Sequence, residues 1–445
     1  MSAHCSARIP LSRKGSRDWR IWPIGDNFGN FLRAASISIL RDVESGKFLD
    51  ETIDRVFSRS KLSDSQRALI YEITSGVIRW RGFLDFVIAR YTTKPIKKDV
   101  RHLLRITLYQ VGFMKKAHYH VINEAVEYAA KEQGKFVGGF VNAVLRRFVN
   151  DKEISDMPRT EKVRKSFPGW LYRRWSGRFG EEAADKLLEE LTKEPRFDLR
   201  VNPAKSSVEQ AIREFTENGV FPGKGRFAPS ALTVDRLLPV MATPAFREGR
   251  VSIQGEASQL AGIAVQLAAG KKILDACSGS GTKTRQIIEI CPPSSQIYAM
   301  DIDIKRLRLS GLNDRVVCGD ALLPPFAPGS FDTVLVDAPC SSLGIIRKHP
   351  EIKWRRTEGD IRKFAELQRA MLNSVSDLLS EGGRLIYSVC SFEPEETVDV
   401  IGNLVKEKKF RLENPLPFLF NKDYFISLPH ETAMDGFFIA RLRKL

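Results

Sequence analysis

The sequence predicts an α/β protein: a doubly wound, Rossmann-like parallel sheet at the C-terminal end, preceded by an all-α region and a small α+β unit. Three observations predict it. From about residue 250 short apolar segments alternate with helical ones, the pattern of a parallel sheet covered by helices. Residues 27–150 carry helical periodicity instead, and a polar stretch after residue 150 separates the two patterns. The 445-residue length suits two to three domains at about 150 residues each, and 43% hydrophobic with 28% charged residues belongs to a folded soluble chain.

Residues 1–26 read as a basic tail. In the first 22 residues Arg8, Arg13, Lys14, Arg17 and Arg20 meet one acid, Asp18, with no apolar core of the secretory kind; an organelle transit peptide is the alternative. In residues 27–150, Ser63 or Asp64 can cap a helix on which Leu69, Ile73 and Val77 recur every four residues, and 98–116, 121–132 and 136–149 behave alike. The strings Ile78-Arg79-Trp80-Arg81 and Arg101-His102-Leu103-Leu104-Arg105 set cations beside apolar anchors, which suits RNA and equally suits side chains lying over a core edge. Residues 151–249 begin as a polar linker to about Lys165. Helical segments follow, then a strand-like Phe197 to Pro203 and a helix from Ser207 to Asn218 stopped by Gly219, a small α+β subdomain. Residues 250–445 supply the strands Lys272–Asp275, Gln296–Asp301, Arg315–Cys318, Phe331–Asp337 and Gly383–Ser388.

Charge is unevenly spread. Lys+Arg 70 against Asp+Glu 54 gives +16; residues 1–150 hold 26 and 14 (+12), residues 151–250 hold 19 and 16 (+3), and the remainder 25 and 24 (+1). A basic module on a nearly neutral one is what delivery of an active site to a polyanion needs, although solubility explains the total equally well. No run of 18 apolar residues occurs, so no membrane span is expected. Cys5, Cys277, Cys291, Cys318, Cys340 and Cys390 form no CxxC pair, so neither a zinc ribbon nor a disulfide framework is expected, and free thiols suit a cytoplasmic protein. No metal is expected, and a monomer is.

Ligands of a doubly wound sheet bind at the carboxyl ends of its strands. The first end is Asp275-Ala-Cys277-Ser278-Gly279-Ser280-Gly281-Thr282-Lys283-Thr284, a glycine turn before a helix whose N-terminus offers free N–H groups. Twenty residues after Gly281, Asp301 ends the next strand, where a carboxylate can accept both hydroxyls of a ribose. Asp320 ends the third, in reach of an adenine amine. Together they indicate an adenosyl cofactor without separating a dinucleotide from S-adenosylmethionine; the missing third glycine of G-x-G-x-x-G weighs against the dinucleotide.

Two thiols sharpen the reading. Asp337-Ala-Pro339-Cys340 ends one apolar strand and Tyr387-Ser-Val389-Cys390 the next, at one sheet edge. A lone strand-end Cys is usually a small hydrophobe, but a pair beside a cofactor loop points to chemistry. C5 of a pyrimidine is a poor nucleophile, and thiolate addition at C6 makes C5 enamine-like and able to attack an electrophilic methyl; an acid such as Asp337 near N3 would favour addition. The base must leave any stack to reach the pocket.

The run from Asp337 to Trp354, with Tyr387–Ser391 and Asp435-Gly-Phe-Phe438, resembles the NOL/NOP/Sun family of RNA cytosine-5 methyltransferases. Ile346 to Trp354 is similar to its bacterial small-subunit ribosomal RNA branch, and Val121–Val126 with Phe140–Phe148 to the NusB-like RNA-binding domain of that branch. The resemblance implies a class I methyltransferase domain at 250–445, a NusB-like domain at 27–150, S-adenosylmethionine as cofactor and small-subunit ribosomal RNA as partner. It implies that Cys390 attacks C6, that Cys340 assists release, and that Cys277, Ser278, Gly279, Ser280, Gly281, Thr282, Lys283, Asp301, Asp320 and Asp337 contact the cofactor. Two positions depart from it. Ser278-Gly-Ser-Gly-Thr-Lys283 stands where the family has Ala-Pro-Gly-Gly-Lys, and Val389 replaces the Thr before the second cysteine. The same chemistry on transfer RNA and a non-catalytic RNA-binding assembly factor are the alternatives.

Overall fold

The computed structural model describes residues 28–114, 116–308, 310–312 and 315–445. The basic tail, with Cys5, lies outside them. The described residues form two compact units, residues 28–74 with 96–145 and residues 75–95 with 146–445.

The first unit is helical: Phe28–Glu44, Leu49–Phe57, the first turns of Asp64–Arg79, Lys98–Gly112, His118–Gln133 and most of Lys135–Asn150. Ser63, not Asp64, caps the third helix in a reciprocal box, its Oγ accepting from Gln66 N at 3.3 Å while Gln66 Oε1 accepts from Ser63 N at 2.9 Å. Leu32, Ile39, Leu40, Ile70, Leu104 and Ile106 fill the core. Leu69, expected on the apolar face, is half-buried and Ile70 takes the inner place.

The second unit takes up the end of that third helix and the helix Arg81–Tyr91. The stretch expected as a linker folds into two short helices, Lys152–Asp156 and Arg159–Lys165, because Asp151 both caps the first, accepting from Ile154 N, and accepts from Arg90 Nε at 2.9 Å and Tyr91 Oη at 2.6 Å. Four strands, β1 (Phe197–Val201), β2 (Gly223–Lys224), β3 (Ala231–Val234) and β4 (Val251–Ile253), make an antiparallel sheet in the order β2-β3-β1-β4. The helix Val208–Glu217 starts in a Ser207/Gln210 capping box and buries Ala211 and Phe215.

The large sheet holds β5 (Lys272–Asp275), β6 (Gln296–Asp301), β7 (Val316–Cys318), β8 (Phe331–Asp337), β9 (Leu379–Val389), β10 (Phe410–Glu413), β11 (Tyr424–Ser427) and β12 (Phe437–Lys444). Its order is β10-β12-β9-β8-β5-β6-β7, with β11 beside β12. The pairs from β9 to β7 are parallel, as expected, and β10, β11 and β12 add an antiparallel edge that the apolar pattern did not disclose. The order reverses between β5 and β8, so the loops after those strands open a crevice at their carboxyl ends. Both sheet faces are buried: Leu274, Val334, Val336, Leu385 and Tyr387 on one, Ile273, Leu335, Ile386 and Ile439 on the other. That explains the continuous apolar runs.

Candidate active site

The crevice is a cavity of about 430 Å3 lined from the ends of β5, β6, β7, β8 and β9. The β5 turn is built by its glycines. Gly279 and Gly281 have φ of 56° and 78°, left-handed values that a side chain resists. A Cβ on Gly279 would lie 2.6 Å from the Arg306 guanidinium. Gly281 caps the helix Thr282–Ile290 and packs on Ser310, where a Cβ would meet Ser310 Cβ at 2.6 Å. Of the ten residues expected to touch the cofactor, Cys277, Ser278, Gly279, Ser280, Thr282, Lys283, Asp301, Asp320 and Asp337 line the cavity; Gly281 does not, and shapes the turn from behind.

The acids are held in distinct ways. Asp301 accepts Gly279 N on Oδ2 at 2.8 Å and Asp303 N on Oδ1 at 2.9 Å, which fixes the carboxylate; each oxygen keeps a further lone pair. Asp320 accepts Leu322 N at 2.9 Å. Asp275, fully buried, accepts from Thr284 Oγ1 at 2.6 Å on one oxygen while the other has no partner; burial pushes its carboxyl up to about 7. Asp337 receives Lys283 Nζ at 2.5 Å and Ser388 Oγ at 2.8 Å. Burial opposes the Lys283 charge, but Asp337 outweighs it and holds the ammonium above its ordinary range.

At the other end of the cavity the two thiols meet, Cys340 Sγ 3.1 Å from Cys390 Sγ. Cys390 lies 3.5 Å and Cys340 3.8 Å from Ser342 Oγ, on a residue with φ of 62°. The pair is asymmetric. Hydrogen bonds from Cys340 and, to a lesser degree, Ser342 favour the Cys390 thiolate against the cost of burial, while the charges of Asp337 and Lys283 act in opposite directions, so Cys390 titrates below an ordinary thiol. The bond between the two thiols, with burial and the charge of Glu396, holds Cys340 protonated. Cys277 is raised too, by burial and by the surrounding carboxylates, which disfavours its thiolate.

Asp275, Ile302, Arg306, Ser342 and Met371 also line the cavity and were missed from sequence. Arg306 follows Asp301 by five residues in the short helix Ile304–Arg308, a spacing that could have signalled it. Other motif residues serve packing. Gly436 N donates to Gly344 O at 2.8 Å, Lys348 binds Asp435 at 2.6 Å and Asp198 at 3.3 Å, and Arg347 binds Glu190 at 2.8 Å. Lys353, fully buried, donates to Arg79 O at 2.7 Å over the Phe167 ring, and Trp354 donates to Ile78 O at 2.9 Å.

Among the described residues no group of His, Cys, Asp and Glu could hold a metal, and no helix is long and apolar enough to cross a membrane. The sheet order and the cavity at its switch point define a Rossmann-like methyltransferase fold. Residues 263–443 match the family model of 16S rRNA methyltransferase RsmB/F, residues 31–150 that of the NusB family, and residues 167–241 a ferredoxin-like domain of RsmF/B-like methyltransferases. Ribosomal RNA small subunit methyltransferase B of Vibrio cholerae is 34% identical over 433 residues, 93% of this chain and 98% of that one. The probable ribosomal RNA small subunit methyltransferase B of Bacillus subtilis is 32% identical over 87% of this chain and 93% of its own. The crystal structure of PH0851 superposes with a TM-score of 0.76 at 26% identity, covering 94% of this chain and 99% of that one. The chain belongs to the RsmB/F family of 16S rRNA methyltransferases.

Proposed function

We propose that the chain is an S-adenosylmethionine-dependent methyltransferase that makes 5-methylcytosine in small-subunit ribosomal RNA through a covalent adduct. The observation that carries this reading is the pair of thiols 3.1 Å apart at the end of a cavity whose other end is a glycine turn with fixed acids.

The cavity fits the cofactor. The unpartnered oxygens of Asp275 and Ser278 are buried polar atoms awaiting a partner, and the Gly279 turn leaves room that a side chain would fill. The turn Cys277–Lys283 would hold the methionine end, Asp301 the ribose hydroxyls and Asp320 the adenine amine. When bound, S-adenosylmethionine supplies an electrophilic methyl group. The remaining chemistry belongs to the chain. Cys390 as thiolate forms a bond to C6 of cytosine, and Asp337, kept in place by Lys283 and Ser388, would lie near N3 and relay to it a proton from the Lys283 ammonium as the C5=C6 electrons are displaced. Once C5 carries the methyl group, its proton passes to solvent water, the C6–S bond breaks, Cys390 departs with the bonding electrons and N3 gives its proton back through Asp337. Cys340, adjacent and protonated, assists that release.

The test is a pair of variants on a ribosomal RNA fragment. Cys390→Ala should abolish both methylation and the covalent protein–RNA species, whereas Cys340→Ala should accumulate that species as a gel-shifted band resistant to denaturant. Methylation by Cys390→Ala would overturn the assignment.

A further inference from the structure

The thiols stand on loops leaving two neighbouring strands, and backbone bonds already join those loops, Ala338 N donating to Ser388 O at 3.0 Å and Gly344 N to Cys390 O at 3.1 Å. One buried side chain fixes the residues next to the thiols as well. Glu396, on the turn Pro394–Glu396 that comes after the second cysteine, is fully enclosed. Its Oε1 accepts from Ser341 N at 2.7 Å and Gln368 Nε2 at 3.2 Å; its Oε2 accepts from Ser341 Oγ at 2.5 Å and Ser391 Oγ at 2.6 Å. Ser341 and Ser391 directly follow Cys340 and Cys390, and their hydroxyls lie 3.4 Å apart. A single carboxylate therefore fastens the neighbour of each thiol. Glu396 is itself anchored, since its carbonyl accepts Tyr387 Oη at 2.6 Å from within β9. Two more side chains brace the Cys340 loop from outside: Arg356 Nε donates to Ser341 O at 2.8 Å, and Gln368 Nε2 to Pro339 O at 2.9 Å.

A structural carboxylate needs no such placement. Glu393, three residues earlier, is equally buried and binds Trp175 Nε1 at 2.8 Å and Arg174 Nε at 2.6 Å, holding a helix and neither thiol. We propose that Glu396 is a positioning residue for the two-thiol reaction: through Ser341 and Ser391 it sets the spacing and direction of Cys340 and Cys390, so that one thiol can add to the base while the other stands ready to help release it. This rests on the reading of Cys390 and Cys340 given above.

Isosteric replacement separates geometry from charge. In Glu396→Gln the amide oxygen can still accept from Ser341 N and Gln368, while the amide NH2 can only donate to the two serine hydroxyls, so those two bonds reverse direction and the charge that strengthened them is lost. Glu396→Ala removes all of it, and Ser391→Ala releases only the Cys390 side. The experiment measures, for wild type and the three variants, S-adenosylmethionine affinity by calorimetry, the single-turnover rate of adduct formation on a ribosomal RNA fragment, and the rate of adduct breakdown. Expected are unchanged cofactor affinity, adduct formation slowed at least tenfold in Glu396→Ala with partial recovery in Glu396→Gln, and breakdown slowed as well, so that adduct accumulates. Ser391→Ala should slow formation more than breakdown. Should Glu396→Ala fail to fold, the Gln and Ser391 variants carry the test. If cofactor affinity is retained and both adduct rates match wild type in Glu396→Gln and Ser391→Ala, the proposal is overturned while the thiol reading stands. If wild type itself forms no adduct and methylates nothing, it is the thiol reading that has failed.

Discussion

Charged side chains in the cavity and charged side chains in the Arg347–Trp354 segment are arranged on opposite principles. At the ends of β5 and β8, Asp275 keeps an oxygen without a partner, and Asp301, Lys283 and Asp337 converge on open volume. In Arg347–Trp354 the cations turn into the chain: Arg347 to Glu190, Lys348 to Asp198 and Asp435, Lys353 to the carbonyl of Arg79. Unmet buried polar atoms occur in both places, Asp275 Oδ1 in the first and Arg347 Nε and Asp435 Oδ1 in the second, so what separates them is the space they face: the first group lines open volume that another molecule can complete, and the second is enclosed by its own ion pairs and marks architecture. Both segments are motif-bearing, and resemblance alone does not tell them apart.

The contrast breaks first at Lys353. Burial drives this amine well below its ordinary range, yet its donors still serve the Arg79 carbonyl. Lys353→Ala removes the side-chain volume and orphans that carbonyl, a loss of about 3 kcal/mol by the usual cost of buried truncation. Urea unfolding should show this as a lower midpoint, while cofactor affinity of the folded fraction stays at the wild-type value. A large drop in cofactor affinity with no change in stability would place Lys353 with the cavity instead.

Lys283 should behave in the reverse manner. Lys283→Met keeps the length and loses the charge, leaving Asp337 without its ion pair and Cys390 without one of the groups that favour its thiolate. Some stability should be lost too, because the ion pair is net favourable and Asp337 is left with its charge unpaired, but the larger effect should fall on the reaction. Adduct formation at neutral pH should fall by about a hundredfold, the usual cost of removing one preorganised charge from a reacting site. The direction of the thiol's shift sets the sign of the pH effect. If the Cys390 thiolate is the nucleophile, wild-type adduct formation should rise with pH through a value below that of an ordinary thiol, and without Lys283 that limb should move to higher pH. An unmoved limb would remove Lys283 from the electrostatics of the thiol.

The same contrast explains why some elements could be read from the sequence and others could not. β5, β6, β8 and the strand-end residues were legible because a parallel strand buried on both faces is a short apolar run, and topology places the residues just beyond its end. The edge strands β10 and β11 were not: each is four residues long, and they pair only through β12. Arg306 and Met371 reach the cavity from helices, where no strand-end rule applies. Glu396 stood in plain view beside Cys390, but nothing in a Pro-Glu-Glu turn says that one acid faces a helix arginine and the next faces two serines. The cationic strings were legible only as ambiguous. A cation at a core edge and a cation awaiting a phosphate share one pattern, and burial decides between them.

That decision reduces the candidate docking surface. Of the N-terminal cations, Arg33 is buried against Glu124 at 2.7 Å and the Gly29 carbonyl, Arg105 against Glu44 at 2.6 Å, and Arg79 reaches the Arg347 carbonyl. His102, beside Arg105, is driven by burial down to about 4 and carries no charge at neutral pH. The +12 of residues 1–150 therefore overstates what can meet RNA from this region. In the first unit Lys98, Arg101 and Lys116 are exposed, and they form the group to test. Replacing all three by Ala should weaken RNA binding uniformly across sequences. It should also reduce the slope of log Kd against log salt by roughly 0.7–0.9 for each phosphate no longer neutralised, with cofactor affinity unchanged. Arg33→Ala, by contrast, should lower stability and leave the salt slope alone. If the triple variant keeps the wild-type slope, the exposed charge of this unit serves solubility, and RNA is held by residues whose charge the sequence count did not single out.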